Sequence, residues 1–365
     1  MFQYPSTSHS AHSLLSKNSH HQMAHNQMSP SAAILQLSPD IFLLILKYLA
    51  LHDKFLLSHT CTVFRRCTHH DWDSEISQLS SSDRVGFWAG LAYTLPDYWT
   101  CPKCCKLHLI NTSDVPATLK RQQLVPCQAD LSRGIGTEMY SIHHHHIQFA
   151  LKLSRLGKHQ QYLGALMKPY TDMRISSLSP LTDSYTAEPK IFKKQFILRE
   201  EWNISNDTST TLPLFPENDT FHMPVCPHLG LTSSGLASSR MRKKWDAERL
   251  QLRHNMTQLE ELNLFKEMTL IEDGIAFAFK FPGNWIYNSC LRCPTDIGIT
   301  VSTNERNVTV RAWHNFGVEG SPMDASWRVH VADPLQAWAA LGSYTEYVHG
   351  SIRKLWVESI SDGIR

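Results

Sequence analysis

The chain of 365 residues has no uncharged apolar run of about 18 residues, the least that spans a bilayer. Its longest apolar stretch, Ile41 to Leu51, is broken by Lys47. The first 33 residues lack the apolar segment of a secretory signal, and they hold neither an acidic residue nor an arginine. These absences predict an intracellular chain, cytoplasmic and/or nuclear, with no membrane partner. Charge of one sign is also scarce. Lys and Arg number 35 against 33 Asp and Glu, a net of +2, which excludes a chain that binds nucleic acid through its overall charge. Catalytic signatures are missing too: there is no G-x-S-x-G elbow, H-E-x-x-H, Walker A loop or G-x-G-x-x-G. Gly134-x-Gly136 stands alone and reads as a turn. No leucine-rich, WD-type or kelch period recurs.

What is present begins with nine cysteines. An odd number in a chain without a secretory signal predicts free thiols, some of them metal ligands, rather than a disulfide framework. The N-x-S/T triplets at Asn203, Asn206, Asn218 and Asn307 are then chance matches.

Along the chain, residues 1–33 are rich in Ser, His, Gln, Asn and Met and predict a disordered tail. Order is expected from Leu37. Ser38 is a good N-cap, Pro39 suits the first helical position and Asp40 complements the helix dipole. Ile41, Leu44, Ile45, Tyr48 and Leu49 follow at helical spacing. Asp53 is expected to cap a second helix bearing Leu56, Leu57, Thr60, Cys61 and Phe64. Ser82 or Asp83 opens a third with Val85, Phe87, Trp88 and Leu91, stopped by Pro96. Residues 34–80 thus form a helical module, and 81–170 a helical region with a cysteine pair, helical again over 141–170. Residues 171–190, rich in Ser, Thr and Pro, read as a linker or long loop. In the mixed region 191–365, Ile275, Phe277, Phe279 and Phe281 alternate as a half-buried strand does. Ile297, Ile299 and Val301, a turn at 304–307, then Val308, Val310 and Ala312 predict a hairpin. Residues 240–268 and 334–360 read as helical. The expected class is α+β: helical first, strand-rich towards the C-terminus.

The segment Leu37-Ser38-Pro39-Asp40-Ile41, then Ile45-Leu46-Lys47-Tyr48-Leu49, Asp53, Cys61 and Phe64-Arg65 resembles an F-box over residues 37–66. It departs from the pattern at Ser38 and Ala50, where prolines are common. The stretch from Leu95 to Cys104, with Leu107-His108, Cys290 to Asp296 and Val310 to Trp313, looks like a set of fungal F-box proteins. That resemblance implies a substrate-recognition subunit of a cullin–RING (SCF-type) ubiquitin ligase. Its partners would be the ligase adaptor and cullin scaffold, and a target protein held by the C-terminal region. By the same resemblance the adaptor contacts fall on Leu37, Pro39, Ile41, Ile45, Leu46 and Leu49. A module this small cannot cover all its apolar surface, so some remains for docking; the plain alternative is that these residues are the module's own core.

The cysteines form two groups. Cys290-x2-Cys293 has knuckle spacing, and Cys226-x-His228, roughly sixty residues upstream, completes a Cys3His set suited to tetrahedral, structural zinc. A second set is Cys101 and Cys104, with Cys127 and either His108 or one of His143 to His146. Four consecutive histidines on a helix point in all directions, so at most one or two can share a site. The chain is read as non-enzymatic. The alternatives are a zinc-stabilised interaction protein without a ligase role, or a zinc hydrolase using Asp296 or His314 near the knuckle.

Overall fold

The computed structural model describes residues 37–68, 71–117, 135–136, 140–175, 181–206, 222–232, 271–331 and 347–362. The expected tail at 1–33 and the expected helix at 240–268 lie outside them. The fold is α+β, in two compact units that divide between Thr94 and Leu95.

The first unit is built of short helices: α1 (Pro39–Tyr48), α2 (Leu51–Ser58), α3 (Thr62–Cys67), α4 (Trp72–Gln78) and α5 (Ser81–Thr94). The start of α1 is as expected, with Ser38 as N-cap and Pro39 opening the helix. Asp53 does not cap α2. Ala50 holds that position without a side-chain bond, and Asp53 sits in the first turn, where its charge still favours the helix dipole. The single second helix expected through Phe64 is two, because the chain turns at His59 and Cys61 is extended as the cap of α3. The third start signal is Ser80, whose hydroxyl accepts the Asp83 N–H at 3.1 Å. Phe55 centres this unit, meeting Trp72 and Phe87 edge-on at 5.3 and 5.7 Å. Where α2 approaches α5, a Cβ on Gly90 would lie 2.2 Å from the His52 ring, so only glycine fits there.

The second unit is organised on a six-stranded antiparallel sheet in the order β10-β11-β12-β7-β6-β5. Its strands are β5 (Tyr170–Ile175), β6 (Leu181–Phe192), β7 (Gln195–Asn206), β10 (Trp285–Ser289), β11 (Thr295–Val301) and β12 (Asn307–Val318). Smaller hairpins join β1 (Tyr98–Cys101) to β2 (Lys106–Leu109), β3 (Ile135–Gly136) to β4 (Ser141–Ile142), and β8 (His222–Cys226) to β9 (Leu229–Thr232). The helices are α6 (His144–Leu156), α7 (Gln160–Leu166), α8 (Ile271–Lys280), α9 (Ala325–Val331) and α10 (Ser351–Asp362). One sheet face, with Leu198, Trp202, Ile204, Ile297, Ile299, Val308 and Val310, packs into the main core with Ile147 and Leu151 of α6 and Ile275 of α8. On the opposite face Ile197 and Trp313 meet Ile352 and Trp356 of α10. Gly157, with φ of 64°, ends α6 in the left-handed conformation that costs glycine nothing.

The hairpin at 297–312 forms as read, with Ile299 opposite Val310. Three other expectations are corrected. Residues 275–281 lie mostly in a helix, not a strand: Ile271, Ile275 and Ala278 are buried at helical spacing, and Ala276 and Ala278 favour a helix. The stretch 171–190 is not a linker but much of β5 and β6. Its Ser184, Thr186 and Glu188 alternate with the buried Tyr185 and Ala187. Pro189 is tolerated because it lies beyond the last β5 pairing, Tyr170 with Ala187, where β6 is an edge and a missing N–H costs nothing. Finally, 81–170 is not one region. Helix α5 closes the first unit, and the described residues from Leu95 onward belong with the sheet.

Candidate functional sites

Helix α1 is apolar on nearly every side, so its neighbours decide what is left exposed. Phe42 and Leu46 turn inward onto Phe64, Phe42 stacking on it at 5.2 Å, with Leu49, Leu57 and Cys61 against them. Leu46 is therefore core and not an adaptor contact. Of the other residues assigned that role, Leu37, Pro39 and Ile41 are exposed and Ile45 and Leu49 half-buried. Leu44 and Tyr48, assigned no contact role, continue the exposed line: Ile41, Leu44 and Tyr48, at helical spacing, are 48, 50 and 80% exposed, and Leu37, just before the helix, is 39% exposed.

The Cys226, His228, Cys290 and Cys293 set converges. Its four ligand atoms all lie within 4.8 Å of one another, and the three cysteines are buried and free. Cys226 ends β8 and His228 lies in the turn to β9; Cys290 follows β10 and Cys293 precedes β11. Two turns distant in sequence thus face each other. Hydrogen bonds with the Cys226 and Cys293 thiols hold the Cys290 thiol well below its ordinary pKa, while burial raises those of Cys226 and Cys293. The Arg292 N–H points at Cys290 Sγ from 3.4 Å. Thr295 Oγ1 lies 3.2 Å from Cys293 Sγ and 3.0 Å from His314 Nδ1.

His314 and Glu200 are fully buried, with Nε2 2.9 Å from the carboxylate but off the hydrogen-bonding line. The Tyr185 hydroxyl donates to the same carboxylate, and burial, then the Glu200 charge, raises its pKa well above that of a free phenol. Asp296 accepts the backbone N–H groups of Gly350, Ile352 and Arg353 at 2.8–2.9 Å. The two groups a hydrolase would draw on near the knuckle are thus engaged, His314 inside the core and Asp296 at the start of α10.

The second cysteine set is Cys101, Cys104 and His108, gathered by the β1–β2 hairpin with Cys104 Sγ 3.0 Å from His108 Nε2. The hydrogen bond with Cys104 is the main cause holding the Cys101 thiol far below its ordinary value. Cys127 lies outside the described residues. None of His143 to His146 joins this set. His143 caps α6, His144 meets Trp327 edge-on at 5.3 Å, and His145 and His146 face Asp114. They are packed, not solvated as a helix start usually is.

The Asp114, His145 and His146 group also has metal-like spacing, but its protons argue otherwise. The His143 backbone N–H donates to His146 Nδ1 at 3.1 Å. That nitrogen is then unprotonated, Nε2 carries the hydrogen, and it donates to Asp114 Oδ1 at 3.1 Å. Ligation through Nε2 would require an imidazolate. This is a carboxylate anchoring a helix start, and the signal for it, Asp114 some thirty residues upstream of the histidines, is not local in sequence.

The chain matches no protein-family model, no curated protein and no solved structure. Among the described residues no helix is long and apolar enough to cross a membrane.

Proposed function

We propose that the protein is the substrate-recognition subunit of a cullin–RING ubiquitin ligase, as the resemblance of residues 37–66 to an F-box implies. The observation that carries the reading is the exposed line Ile41, Leu44 and Tyr48 on α1, with the exposed Leu37 just before the helix, in a unit separate in its packing from the sheet. An apolar helix stripe of this kind suits a groove in a partner. The C-terminal unit would hold the target, and the chemistry of ubiquitin transfer would belong to other subunits. The receptor acts by proximity, raising the effective concentration of target lysines near the charged enzyme.

The test is co-expression of the full chain with the ligase adaptor and measurement of co-purification. Ile41→Asp and Leu44→Asp alter exposed positions and should abolish capture while leaving the circular dichroism spectrum intact. Leu46 is unsuitable for this purpose, because a charge there would unfold the module. A folded wild-type chain that ignores the adaptor, or binding unaffected by both substitutions, would overturn the proposal.

A further inference from the structure

The geometry points to one zinc ion bound by Cys226, His228, Cys290 and Cys293, serving as the clip that shapes the seat of the C-terminal helix α10. This is independent of the ligase reading.

Zinc–sulfur and zinc–nitrogen bonds of about 2.3 and 2.0 Å in a tetrahedron place neighbouring ligand atoms about 3.5–3.8 Å apart. Cys290 Sγ and His228 Nδ1 lie 3.6 Å apart, the length of such an edge, and all four ligand atoms fall within 4.8 Å. Free buried cysteines often pack as small hydrophobic groups, but that role does not explain the imidazole turned onto the sulfur. Nor does it explain the polar groups set against two of the sulfurs, the Arg292 N–H aimed at Cys290 and the Thr295 hydroxyl 3.2 Å from Cys293. A disulfide would leave one thiol and the imidazole unused. Three sulfurs and one nitrogen favour zinc over the oxygen-seeking magnesium and calcium. With all four positions supplied by the chain, the site is closed and structural.

The loop that carries Cys290 and Cys293, with Asp296 just beyond it, receives Tyr347 and the start of α10. The Tyr347 hydroxyl shares its hydrogen between Cys290 O and Thr295 O, at 2.8 and 2.9 Å. Asp296 takes three N–H groups at the start of α10. Ile352 and Trp356 then pack on Ile197 and Trp313. Fixing the turn fixes the acceptors, and ligands 62 residues apart in sequence gain from a clip that closes the loop between them.

The test is titration of metal-free full-length protein with Co(II), followed by its visible absorption, with Zn(II) as competitor. The intense bands of tetrahedral thiolate-bound cobalt should appear, persist in Cys104→Ser and vanish in Cys226→Ser. His228→Cys replaces the nitrogen by a fourth sulfur and should keep a tetrahedral site while shifting the bands to longer wavelength. That gain decides the matter even if Cys226→Ser fails to fold. Hydrogen exchange over 347–362 should quicken at least about tenfold when zinc is removed. Absence of the bands in wild type, or bands lost only in Cys104→Ser and unmoved by His228→Cys, would overturn the site. Exchange at 347–362 indifferent to zinc would overturn the clip.

Discussion

Replacing Asp114 by Asn tests whether that carboxylate anchors α6 by hydrogen bonds alone. Both oxygens are in use: Oδ2 accepts His145 Nε2–H at 2.9 Å and Oδ1 accepts His146 Nε2–H at 3.1 Å. The two imidazoles are 5% and 2% exposed and the carboxylate 25%. Burial pushes the Asp114 carboxyl up, but the two histidine bonds outweigh it and hold it well below the usual range. Hydrogen bonds to a charged group contribute about 1.5–3 kcal/mol each. Partial exposure of Asp114 argues for the lower end, about 3 kcal/mol for the pair. Asp114→Ala should cost that much. Asp114→Asn keeps one acceptor and turns an amide donor onto the other imidazole N–H, so it should recover about half at most. In a unit of this size 1 kcal/mol moves the midpoint about 2–4 °C, so Asp114→Ala should lower the transition of the C-terminal unit by about 6–12 °C. Calorimetry of the full chain at pH 7.5 reads this directly. A drop of less than about 2 °C would refute the accounting. Zinc-dependent stabilisation of wild type that Asp114→Asn abolishes would show instead that the group is a metal site.

Three further outcomes are expected. Leu46→Ala should destabilise the first unit by about 2–4 kcal/mol in urea, and the exposed Ile41→Ala by about 0.5 or less; equal costs would mean that α1 is rotated from the orientation described. Burial, with neighbouring histidine charge, pushes the pKa values of His143, His144 and His145 from 6.5 down to about 4, 3 and 4. Depressed histidines leave the unfolded chain binding more protons, so stability is full above pH 6.5 and falls as pH drops towards about 4. Urea midpoints at pH 7.5, 6 and 5 should decline in order, and a flat series would contradict the packing of these rings. Thr295→Val keeps the shape but removes the hydroxyl between Cys293 and His314, costing about 1–3 kcal/mol; an unchanged urea midpoint would show that the chain of bonds contributes nothing.

The convergence of Cys226, His228, Cys290 and Cys293 was legible in the sequence because Cys-x2-Cys and Cys-x-His put their side chains on tight turns, which can face each other whatever surrounds them. The phase of α1 was not. A helix reading Ile-Phe-Leu-Leu-Ile-Leu is apolar around its circumference, and only the Phe42–Phe64 stack decides that Leu46 points in and Leu44 out. The alternation at 275–281 and the polar composition of 171–190 misled for one reason. A short apolar alternation fits a helix whose inner residues are Ile271, Ile275 and Ala278 as well as it fits a strand. A stretch rich in Ser and Thr suits the outer face of a sheet as well as a loop. The four histidines show the complementary limit. Helical geometry scatters them, but it does not show what they meet, because their partners lie elsewhere in the chain: Asp114 on a distant loop and Trp327 on α9. In this chain local chemistry is readable wherever a residue type has few other uses, and orientation is not, because it is set by what the segment meets. That ordering makes the zinc proposal separable from the docking proposal: the former can fail on cobalt spectra alone, the latter only on contact with a partner.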